Sequence, residues 1–550
     1  MNQAPQVKAE IQSALAAVAS RMLPRILTAI CRDPNSPCYG AADRDWWHYK
    51  IRDFPSLILQ QGGYALWQAA ALEAWREDAP ALRALAAASC RFWNQRAIKF
   101  RAFEEYYPWE EGYPPLAFST LAVAKLVAEQ ALPVGDVLPG LRVAARQLQI
   151  RFESEAANQQ VAGLAALAWV RKVAPELVAA ARFEEWITRS LALQHDEGWF
   201  REYGGPDLGY LAVTLDCLFD LLDATGDARF ARAIQRALAF IVTVTDSGRV
   251  AVGLHNARNT DYLVPYGLVR ASLDASFANP GLTATVERLF GNAADPSHFF
   301  AAVDDRYCCH YIGQSVVRVL AWISRQTGDA PAKDQTPTIS PVAATFPSNQ
   351  MLPGAGYWLV RENVQAGGWH GLVALRKGGI ITAARGASVL ADFGWIYFAS
   401  DGQHISHWWS DDWKFSCQNQ TAAVEGSLYV HRETASSPFS HIALRGLSLV
   451  FGRQIIQMLK RLLIFKKPQS PVRFCRQIEF SKDEVRVTDR FTGLPANPDL
   501  RRAPRTSKRH VASADSFHAE DLRLLRGVQY TEERREAAGV LTVVTIYRLG

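Results

Sequence analysis

The sequence predicts a multi-domain α and β protein, in which an N-terminal (α/α) toroid of about six helical hairpins is followed by an antiparallel β-sandwich. Residues 1–327 carry apolar residues at helical spacing almost throughout, whereas residues 351–550 consist mainly of strand-like runs. Between these two parts, residues 328–350 contain four prolines and follow neither period. A chain of 550 residues is also longer than a single core supports. We therefore expect two domains joined by a proline-rich linker.

Twelve segments of the first domain have the periodicity of helices. Every second segment follows a loop rich in aromatic and polar residues, and others follow short turns such as Thr225–Asp227. This regular difference favours a closed ring of hairpins whose inner helices open onto one functional rim. An open solenoid is the alternative, but the sequence shows no repeated consensus. The segments are 9–31, 56–77, 80–99, 116–131, 137–152, 158–173, 177–193, 208–224, 228–244, 262–274, 281–290 and 310–326.

The second domain contains several runs typical of strands, and the clearest of them is a hairpin. Phe474, Ile478 and Phe480 alternate with polar residues, and a polar turn then leads to Val485 and Val487. Many strands without helices between them indicate an antiparallel sandwich.

One segment of this domain, 447–467, has the pattern of a basic amphipathic helix. It carries five Lys and Arg residues and no acid beside a broad set of apolar residues. Either this helix packs on the sandwich with its basic edge in solvent, or it lies on an anionic membrane surface.

Composition and charge argue against several classes of protein. The net charge of +6 is modest and the acids are spread along the chain, so no nucleic-acid-binding footprint is present. The eight cysteines form no C-x-x-C array and are expected to be free thiols in a reducing compartment. The N-terminus lacks the pattern of a signal peptide, and no run reaches the ~20 apolar residues of a membrane span. We expect a cytoplasmic protein whose contact with the inner membrane, through 447–467, is peripheral.

The stretch from His195 to Ala224 holds the first candidate site residues. A loop dense in glycine, aromatic rings and acids leads into a helix with an apolar stripe from Leu208 onwards. Asp207 is suited to cap this helix, and Tyr210 stands one turn in, at the rim. The sequence therefore predicts a carbohydrate-binding cleft at the rim, where aromatic rings stack on sugars.

Two further rim loops contribute basic and histidine side chains. His255 and Arg258 belong to the run HNARNTD, whose Asp261 is predicted to cap a helix that begins at Tyr262. His310 comes directly before the last helix, and its alternative role is structural.

The loop 104–114 contains four acids and four aromatic rings. Trp109 and Tyr113 are predicted to stack on sugars. Trp46 and Trp47 lie in another aromatic segment, and they either wall the cleft or plug the ring between its first and last helices.

Two short motifs give the chain a family resemblance. The run ESEAANQQVAGLAALA at 153–168 and the run REYGGPDLGY at 201–210 resemble motifs of the heparinase II/III-like superfamily of polysaccharide lyases and uronate epimerases. The resemblance implies that Asn158 neutralises the substrate carboxylate and that Tyr210 is the catalytic tyrosine, with Tyr203 as its rival. The chain departs from the family where Gln159 and Gln160 stand in place of a histidine.

A third family motif, an H-x-H-x-D run in the sandwich, is absent in that form. The nearest counterpart is HISHWWSDD at 404–412, with His404, His407, Asp411 and Asp412. We predict neither a metal site nor a cofactor from this run.

The resemblance implies removal of the C5 proton of a uronic acid, by a lyase or an epimerase route. Asn158, Gln159 and Arg258 would neutralise the substrate carboxylate, and Tyr210 would take the proton. His255 is the candidate general acid. The remaining substrate-binding candidates are Tyr203, Asp207, Trp109, Tyr113 and His310. The expected partner is an anionic polysaccharide or a lipid-linked glycan, handled in glycan biosynthesis or processing.

Two other functions stay open. A glycoside hydrolase would use paired carboxylates, for which Glu110, Glu111 and Asp207 are the candidates. A glycan-binding or assembly protein would keep the fold without catalysis, and the missing histidine favours that reading.

Overall fold

The structure is a computed structural model, and it shows a helical domain followed by antiparallel sheets. The described residues are 3–100, 103–245, 253, 255–260, 262–278, 280–326, 349–361, 368–386, 388–432, 437–452, 454–455, 458, 468–504 and 528–549. The predicted fold class is therefore confirmed. The predicted linker at 328–350 lies outside these ranges up to residue 348, and residues 349 and 350 begin the first strand.

Fourteen described helices precede the sheets. Most of their bounds agree with the twelve predicted segments to within about four residues. The exceptions are α1, which begins at Gln3 and not at residue 9, the segment predicted at 56–77, which is helical only in part, and the short helices α2 and α13, which were not predicted. They are α1 (Gln3–Ala29), α2 (Arg44–Trp47), α3 (Gln61–Ala69), α4 (Ala79–Phe100), α5 (Tyr113–Ala128), α6 (Leu138–Ile150), α7 (Ala157–Val173), α8 (Ala180–Leu191), α9 (Leu208–Thr225), α10 (Ala228–Thr245), α11 (Tyr266–Leu273), α12 (Pro280–Phe290), α13 (Asp305–Cys309) and α14 (Tyr311–Gln326).

The helices form a closed double ring. Helices α3, α5, α7, α9, α11 and α14 each contact the next, and α14 contacts α3, so the inner ring closes. Helices α1, α4, α6, α8, α10 and α12 lie outside it. The outer helices bury one stripe, as in α8, where Phe183, Trp186, Ile187 and Ser190 are buried at helical spacing. The inner helices α5, α7 and α9 are buried nearly throughout. A closed toroid is thus present, and the open solenoid is excluded.

The inner helices run parallel, so their N-terminal ends share one end of the ring. Near the start of α5, the Tyr113 hydroxyl donates to Gln160 Oε1 on α7 at 3.0 Å. Near the other end, Lys125 Nζ on α5 donates to Asp220 Oδ1 on α9 at 2.6 Å. We call the N-terminal ends of the inner helices, together with the loops before them, the rim.

A buried ion cluster joins three inner helices below the rim. Asp220 accepts from Lys125 at 2.6 Å and from Arg318 at 2.5 and 3.1 Å. All three side chains are at most 4% exposed. Because burial penalises each charge, the cluster is stable only while the anion and its cations stay together.

One helix boundary corrects the sequence analysis. Helix α11 begins at Tyr266 with Pro265 as its N-cap, and not at Tyr262. Asp261 is therefore not the cap of this helix, and its own placement lies outside the described residues. The physical reason is Pro265, since a proline disfavours helical geometry in the residue before it.

The second domain contains two antiparallel sheets. The first has the order β1-β2-β3-β4-β5, and the second has the order β12-β6-β7-β9-β10-β11-β14-β13, with β8 paired to β9. The strands are β1 (Asn349–Leu352), β2 (Tyr357–Arg361), β3 (His370–Ala374), β4 (Ile380–Arg385), β5 (Ser388–Asp392), β6 (Trp395–Ala399), β7 (Gly402–Ile405), β8 (Lys414–Gln418), β9 (Thr421–His431), β10 (Gln469–Phe480), β11 (Glu484–Thr492), β12 (Leu500–Arg502), β13 (Val528–Ala537) and β14 (Val540–Leu549).

The predicted hairpin is confirmed in the second sheet. β10 and β11 pair in register, with Phe480 opposite Val485. The rings of Trp358 and Trp369 meet the Phe480 ring edge-on between the sheets. Between the same sheets, the fully buried Arg476 donates to Asp489 at 2.7 and 2.8 Å.

A helix interrupts the strands, but it begins earlier than predicted. Helix α15 (Pro438–Phe451) starts at a capping box formed by Ser437 and Ser440. Of the predicted span 447–467, residues 453, 456–457 and 459–467 lie outside the described residues.

The ion cluster below the rim predicts a large loss of stability in Asp220→Asn. Removing the anion leaves two cations buried together, which costs about 3–5 kcal/mol. Urea unfolding followed by circular dichroism measures this loss. Glu185→Gln is the matched control, because its partners Arg182 and Arg189 are solvent-exposed and the pairs contribute less than about 1 kcal/mol. Equal effects of the two changes would contradict a structural role for the cluster.

Candidate functional site

The loop that precedes α9 is attached to the start of α7. Residues Ala156 and Glu202 pair as an isolated antiparallel bridge. The buried Glu202 side chain then accepts the backbone N–H of Asn158 through Oε1 at 2.6 Å. Asn158 therefore lies at the rim, in the first turn of α7, as the sequence analysis expected.

Asp207 joins α9 to the loop 255–260. Its Oδ1 accepts the N–H of Tyr210 at 3.1 Å, so it is the N-cap of α9 that the sequence predicted. Its Oδ2 accepts the N–H groups of Arg258 at 3.2 Å and Thr260 at 3.3 Å. One carboxyl group thus fixes two neighbouring rim elements.

Tyr203 lies between these elements in a strained backbone conformation. Its φ of 53° is in the left-handed region, which a tyrosine rarely adopts. The Arg258 guanidinium lies 4.1 Å from the centre of its ring, and Gln159 Nε2 donates to its hydroxyl at 3.4 Å. Strain of this kind is concentrated at functional sites.

Three buried polar atoms around Tyr203 have unused hydrogen-bonding capacity. Gln159 Oε1, Glu202 Oε2 and Arg258 Nε have no hydrogen-bond partner among the residues that the structure describes. Leaving such an atom unsatisfied costs about 1–3 kcal/mol. Because buried polar groups normally find partners, these three atoms are candidates for contacts with a polar ligand.

The acids of this cluster hold their protons more tightly than usual. Burial raises the pKa of Glu202 well above its ordinary value, and the nearby Asp207 raises it further, against the N–H of Asn158 and the charge of Arg258. Burial also raises the pKa of Asp207 to about 6, against its hydrogen bonds and Arg258. The raised pKa favours the protonated form of Glu202, which can donate a hydrogen bond to an anion.

Tyr210 belongs to a group of phenols on the same rim. The Tyr210 side chain is 8% exposed. Burial raises the pKa values of the neighbouring Tyr262 and Tyr311, and the Tyr210 phenol raises them further. The hydroxyl groups of Tyr262 and Tyr311 are hydrogen-bonded to each other. The residue predicted as the catalytic base therefore lies beside other hydroxyl groups.

The two predicted histidines are buried and already engaged. His255 Nε2 is 3.0 Å from Thr382 Oγ1, and its carbonyl accepts the Tyr357 hydroxyl at 3.2 Å. His310 Nδ1 accepts the N–H of Tyr311 at 2.9 Å. Burial lowers the pKa of His310 well below its ordinary value, so this imidazole is neutral. Its contacts favour the structural role.

The sheets complete the rim on the side of the loop 255–260. Lys377 Nζ donates to the carbonyl of Asn256 at 2.6 Å and to the side chain of Asn259. The Trp409 ring lies against Gly205, where an added Cβ would approach it within 2.2 Å. Only glycine therefore fits beneath this indole, which brings an aromatic face of the second domain beside the Tyr203 loop.

The aromatic loop 104–114 is held in place by hydrogen bonds within the loop itself. The buried Glu110 carboxyl accepts the N–H groups of Glu105 and Tyr106 at 2.9 and 2.7 Å, and burial raises its pKa to about 8. Glu110 and Asp207 both bind backbone N–H groups, so this geometry does not favour the glycoside hydrolase reading. Trp109 remains 40% exposed and available to a ligand.

Other aromatic candidates from the sequence make contacts within the protein. The Tyr113 ring is buried and its hydroxyl binds Gln160, so we leave Tyr113 out of the proposed site. Trp47 donates to the carbonyl of Ala29, and Trp46 packs on Phe92, as expected of residues that plug the helical ring.

Side chains of the run 404–412 form hydrogen bonds and an ion pair with other residues of the second domain. His404 is hydrogen-bonded to Asp401 at 2.8 Å and to Ser470 at 2.6 Å, while Asp411 pairs with Arg376 and Asp412 accepts from Gln469 at 3.0 Å. His407 is buried.

A separate cavity of about 770 Å³ lies at the opposite end of the ring. Its walls include Lys125, Asp220 and Arg318, the members of the buried ion cluster. None of the site residues predicted from the sequence lines it. The charges of Lys125, Asp220 and Arg318 pair with one another, and Arg270 Nε, also at the cavity wall, has no hydrogen-bond partner among the described residues.

Sequence reasoning missed three contributors to the rim. Glu202 stands within the quoted motif, and its place before the cap Asp207 was an available signal. Trp409 lies in the quoted run HISHWWSDD, but nothing in the sequence connects it with Gly205. Lys377 has no recognisable sequence signal, because its partners are distant in the chain.

Comparisons with known proteins add structural neighbours only. No protein-family model and no curated protein matches the chain. The chondroitin AC lyase of Streptomyces coelicolor A3, in complex with chondroitin sulphate, is 11% identical, with 98% of this chain and 77% of that chain covered and a TM-score of 0.48. A mutant of the heparan sulfate lyase HepC from Pedobacter heparinus is 10% identical, with 96% and 82% covered and a TM-score of 0.40.

The raised pKa of Asp207 predicts a specific pH dependence of stability. An unfolded aspartate ionises near pH 4, whereas folded Asp207 keeps its proton up to about pH 6. Its contribution to stability is thus fully present below pH 4 and is lost as the pH rises through 6. The unfolding free energy of the wild type, relative to Asp207→Asn, should fall by up to about 3 kcal/mol between pH 4 and pH 7.

Urea unfolding at several pH values measures this difference. The exposed Asp196 provides the control, because Asp196→Asn should give a difference that is nearly independent of pH. A flat difference for Asp207→Asn as well would show that folding does not raise the pKa of Asp207.

Proposed function

We propose that the protein acts on a uronic-acid-containing glycan by abstracting the C5 proton, as a lyase or an epimerase. The observation that supports this most is the cluster of unpartnered polar atoms on Gln159, Glu202 and Arg258 around Tyr203. It combines a cation, a neutral acid and an amide, which together suit a sugar carboxylate.

The first requirement of the reaction is neutralisation of the substrate carboxylate, because its charge opposes carbanion formation at C5. In our proposal the Arg258 guanidinium and the protonated Glu202 carboxyl bind that carboxylate, and Asn158 assists. These donors are held by the protein before the charge develops, which is the arrangement that stabilises a transition state.

The second requirement is a base that takes the C5 proton. We assign this role to Tyr210, with Tyr203 as the rival, and His255 as the candidate general acid. In a lyase reaction the C5 electron pair forms the C4=C5 double bond, and the C4 oxygen leaves with a proton. In an epimerase reaction a proton returns to C5 from the opposite face.

Neighbouring groups supply contacts for the sugar rings. Trp409 and the exposed Trp109 offer aromatic faces, and Tyr203 and Asp207 remain proposed contacts on the rim. The substrate class in this proposal is an anionic polysaccharide or a lipid-linked glycan, met in glycan biosynthesis or processing at a membrane surface.

A second candidate is a glycan-binding or assembly protein without catalysis. Gln159 supports it, because this amide stands where the family resemblance expects a histidine and cannot exchange a proton near neutral pH. Such a protein would bind the same uronic glycan through Arg258 and Glu202 but would leave C5 untouched.

The experiment is a set of conservative variants assayed on uronic glycans. A lyase product absorbs near 230–235 nm through its new double bond, while an epimerase exchanges the C5 proton for solvent deuterium. We expect Tyr210→Phe to lower turnover by about 100-fold or more, because a general base contributes that much. Asn158→Ala should lower turnover by about 100-fold as well, because a positioned donor that stabilises developing charge has an effect of that size. Tyr530→Phe, on the exposed strand β13, is the control and should keep full activity.

Each other result has a definite meaning. Unchanged turnover in both variants would dismiss the site, and loss in Tyr203→Phe alone would move the base to Tyr203. Glycan binding without absorbance or deuterium exchange in the wild type would establish the non-catalytic function.

A further inference from the structure

Helix α15 presents large apolar side chains to solvent. Phe439 is 83% exposed, Val450 is 73% exposed and Ile442 is 68% exposed. Leu449, Phe451 and Leu447 are exposed as well, and Ser448 is the one residue of the described helix that is fully buried. An apolar surface of this kind normally marks a binding site.

The exposed apolar side chains of α15 cover a wide arc. At 100° per residue, the six apolar side chains cover an arc of about 200°, with Ser448 on the opposite side. A helix on a protein surface normally buries its apolar stripe against a neighbouring element. A helix that lies in a lipid interface instead buries its apolar face at the boundary between headgroups and acyl chains.

The charge of the segment indicates which surface covers it. From Pro438 to Pro468 the sequence contains six Lys and Arg residues and no acid. Basic residues beside an apolar helix are attracted to the negative headgroups of anionic lipids. None of the helices in the described part of the chain is long and apolar enough to cross a bilayer.

The helix is held at the same end of the ring as the candidate site. Arg445 pairs with Asp53 through two hydrogen bonds, at 2.6 and 3.3 Å. At the end of the helix, an added Cβ on Gly452 would lie 2.9 Å from Glu111 Oε1. Asp53 precedes α3, and Glu111 precedes α5, so both belong to the rim.

We propose that α15 is a membrane-docking helix that inserts its apolar arc among anionic lipid headgroups. Because α15 is fixed to the rim, docking brings the candidate site next to the lipid surface. Resting on the proposed function, this assigns a lipid-linked uronic glycan as the substrate, in preference to a free polymer. Docking itself depends only on α15 and the basic residues that follow it.

The test is vesicle flotation of the full chain with two lipid compositions. Vesicles of phosphatidylcholine mixed with phosphatidylserine should bind the protein, and vesicles of phosphatidylcholine alone should bind it far less. The triple variant Phe439→Ser, Ile442→Ser and Val450→Ser should lose at least about tenfold in binding, since its apolar contacts are removed. Ile150→Ser is the matched control, because Ile150 is 66% exposed on α6 and should be dispensable.

Several outcomes would overturn the proposal. They are no flotation of the wild type with either lipid, equal flotation of the triple variant, or dimerisation that the triple variant abolishes in analytical ultracentrifugation. All variants have exposed positions, so correct folding is expected and is checked by circular dichroism.

Two readouts separate this proposal from the proposed function. Tyr210→Phe should float like the wild type even though it is inactive. The triple variant should keep its turnover of a soluble uronic glycan but lose turnover of a lipid-linked one. Loss of both activities would indicate that α15 supports the site directly and would contradict a docking role.

Discussion

The rim depends on one buried carboxyl group. Asp207 accepts the N–H of Tyr210 in the first turn of α9 and the N–H groups of Arg258 and Thr260 in the next rim loop. Every feature of the proposed site follows from this connection, because it fixes where the guanidinium of Arg258 lies relative to Tyr203. The burial that makes the connection strong also raises the pKa of Asp207 to about 6. Asp207 therefore connects two elements of the rim through its hydrogen bonds, and its charge also raises the pKa of Glu202.

The two ends of the helical ring differ in how their polar groups are used. At the C-terminal ends of the inner helices, the carboxylate of Asp220 is enclosed by Lys125 and Arg318, and the charges compensate one another. At the rim, buried atoms of Gln159 and Arg258 have no partner in the described structure. The first arrangement stabilises the closed ring, whereas the second sacrifices stability for the capacity to bind a ligand. Our proposal therefore rests on the rim and not on the cavity of about 770 Å³.

The sequence predicted the elements better than it predicted their contacts. Helical periodicity identified the hairpins, and the cap at Asp207 was recognisable because a single acid before an apolar stripe has few other roles. The start of α11 was misplaced because Pro265 prevents helix before Tyr266. Strand β13 was missed since its charged, exposed residues show no apolar alternation. The packing of Trp409 on Gly205 joins residues about 200 positions apart, and only tertiary structure brings such residues together. The assignments of Tyr210 and Asn158 remain predictions.

The most direct test of the account is a crystal structure of the protein with a uronic oligosaccharide. The account predicts that a sugar carboxylate binds between Arg258 and Glu202, with the C5 hydrogen facing the hydroxyl of Tyr210 or Tyr203. A carbohydrate bound instead in the cavity beside Lys125 and Arg318, with the rim unaltered, would contradict it.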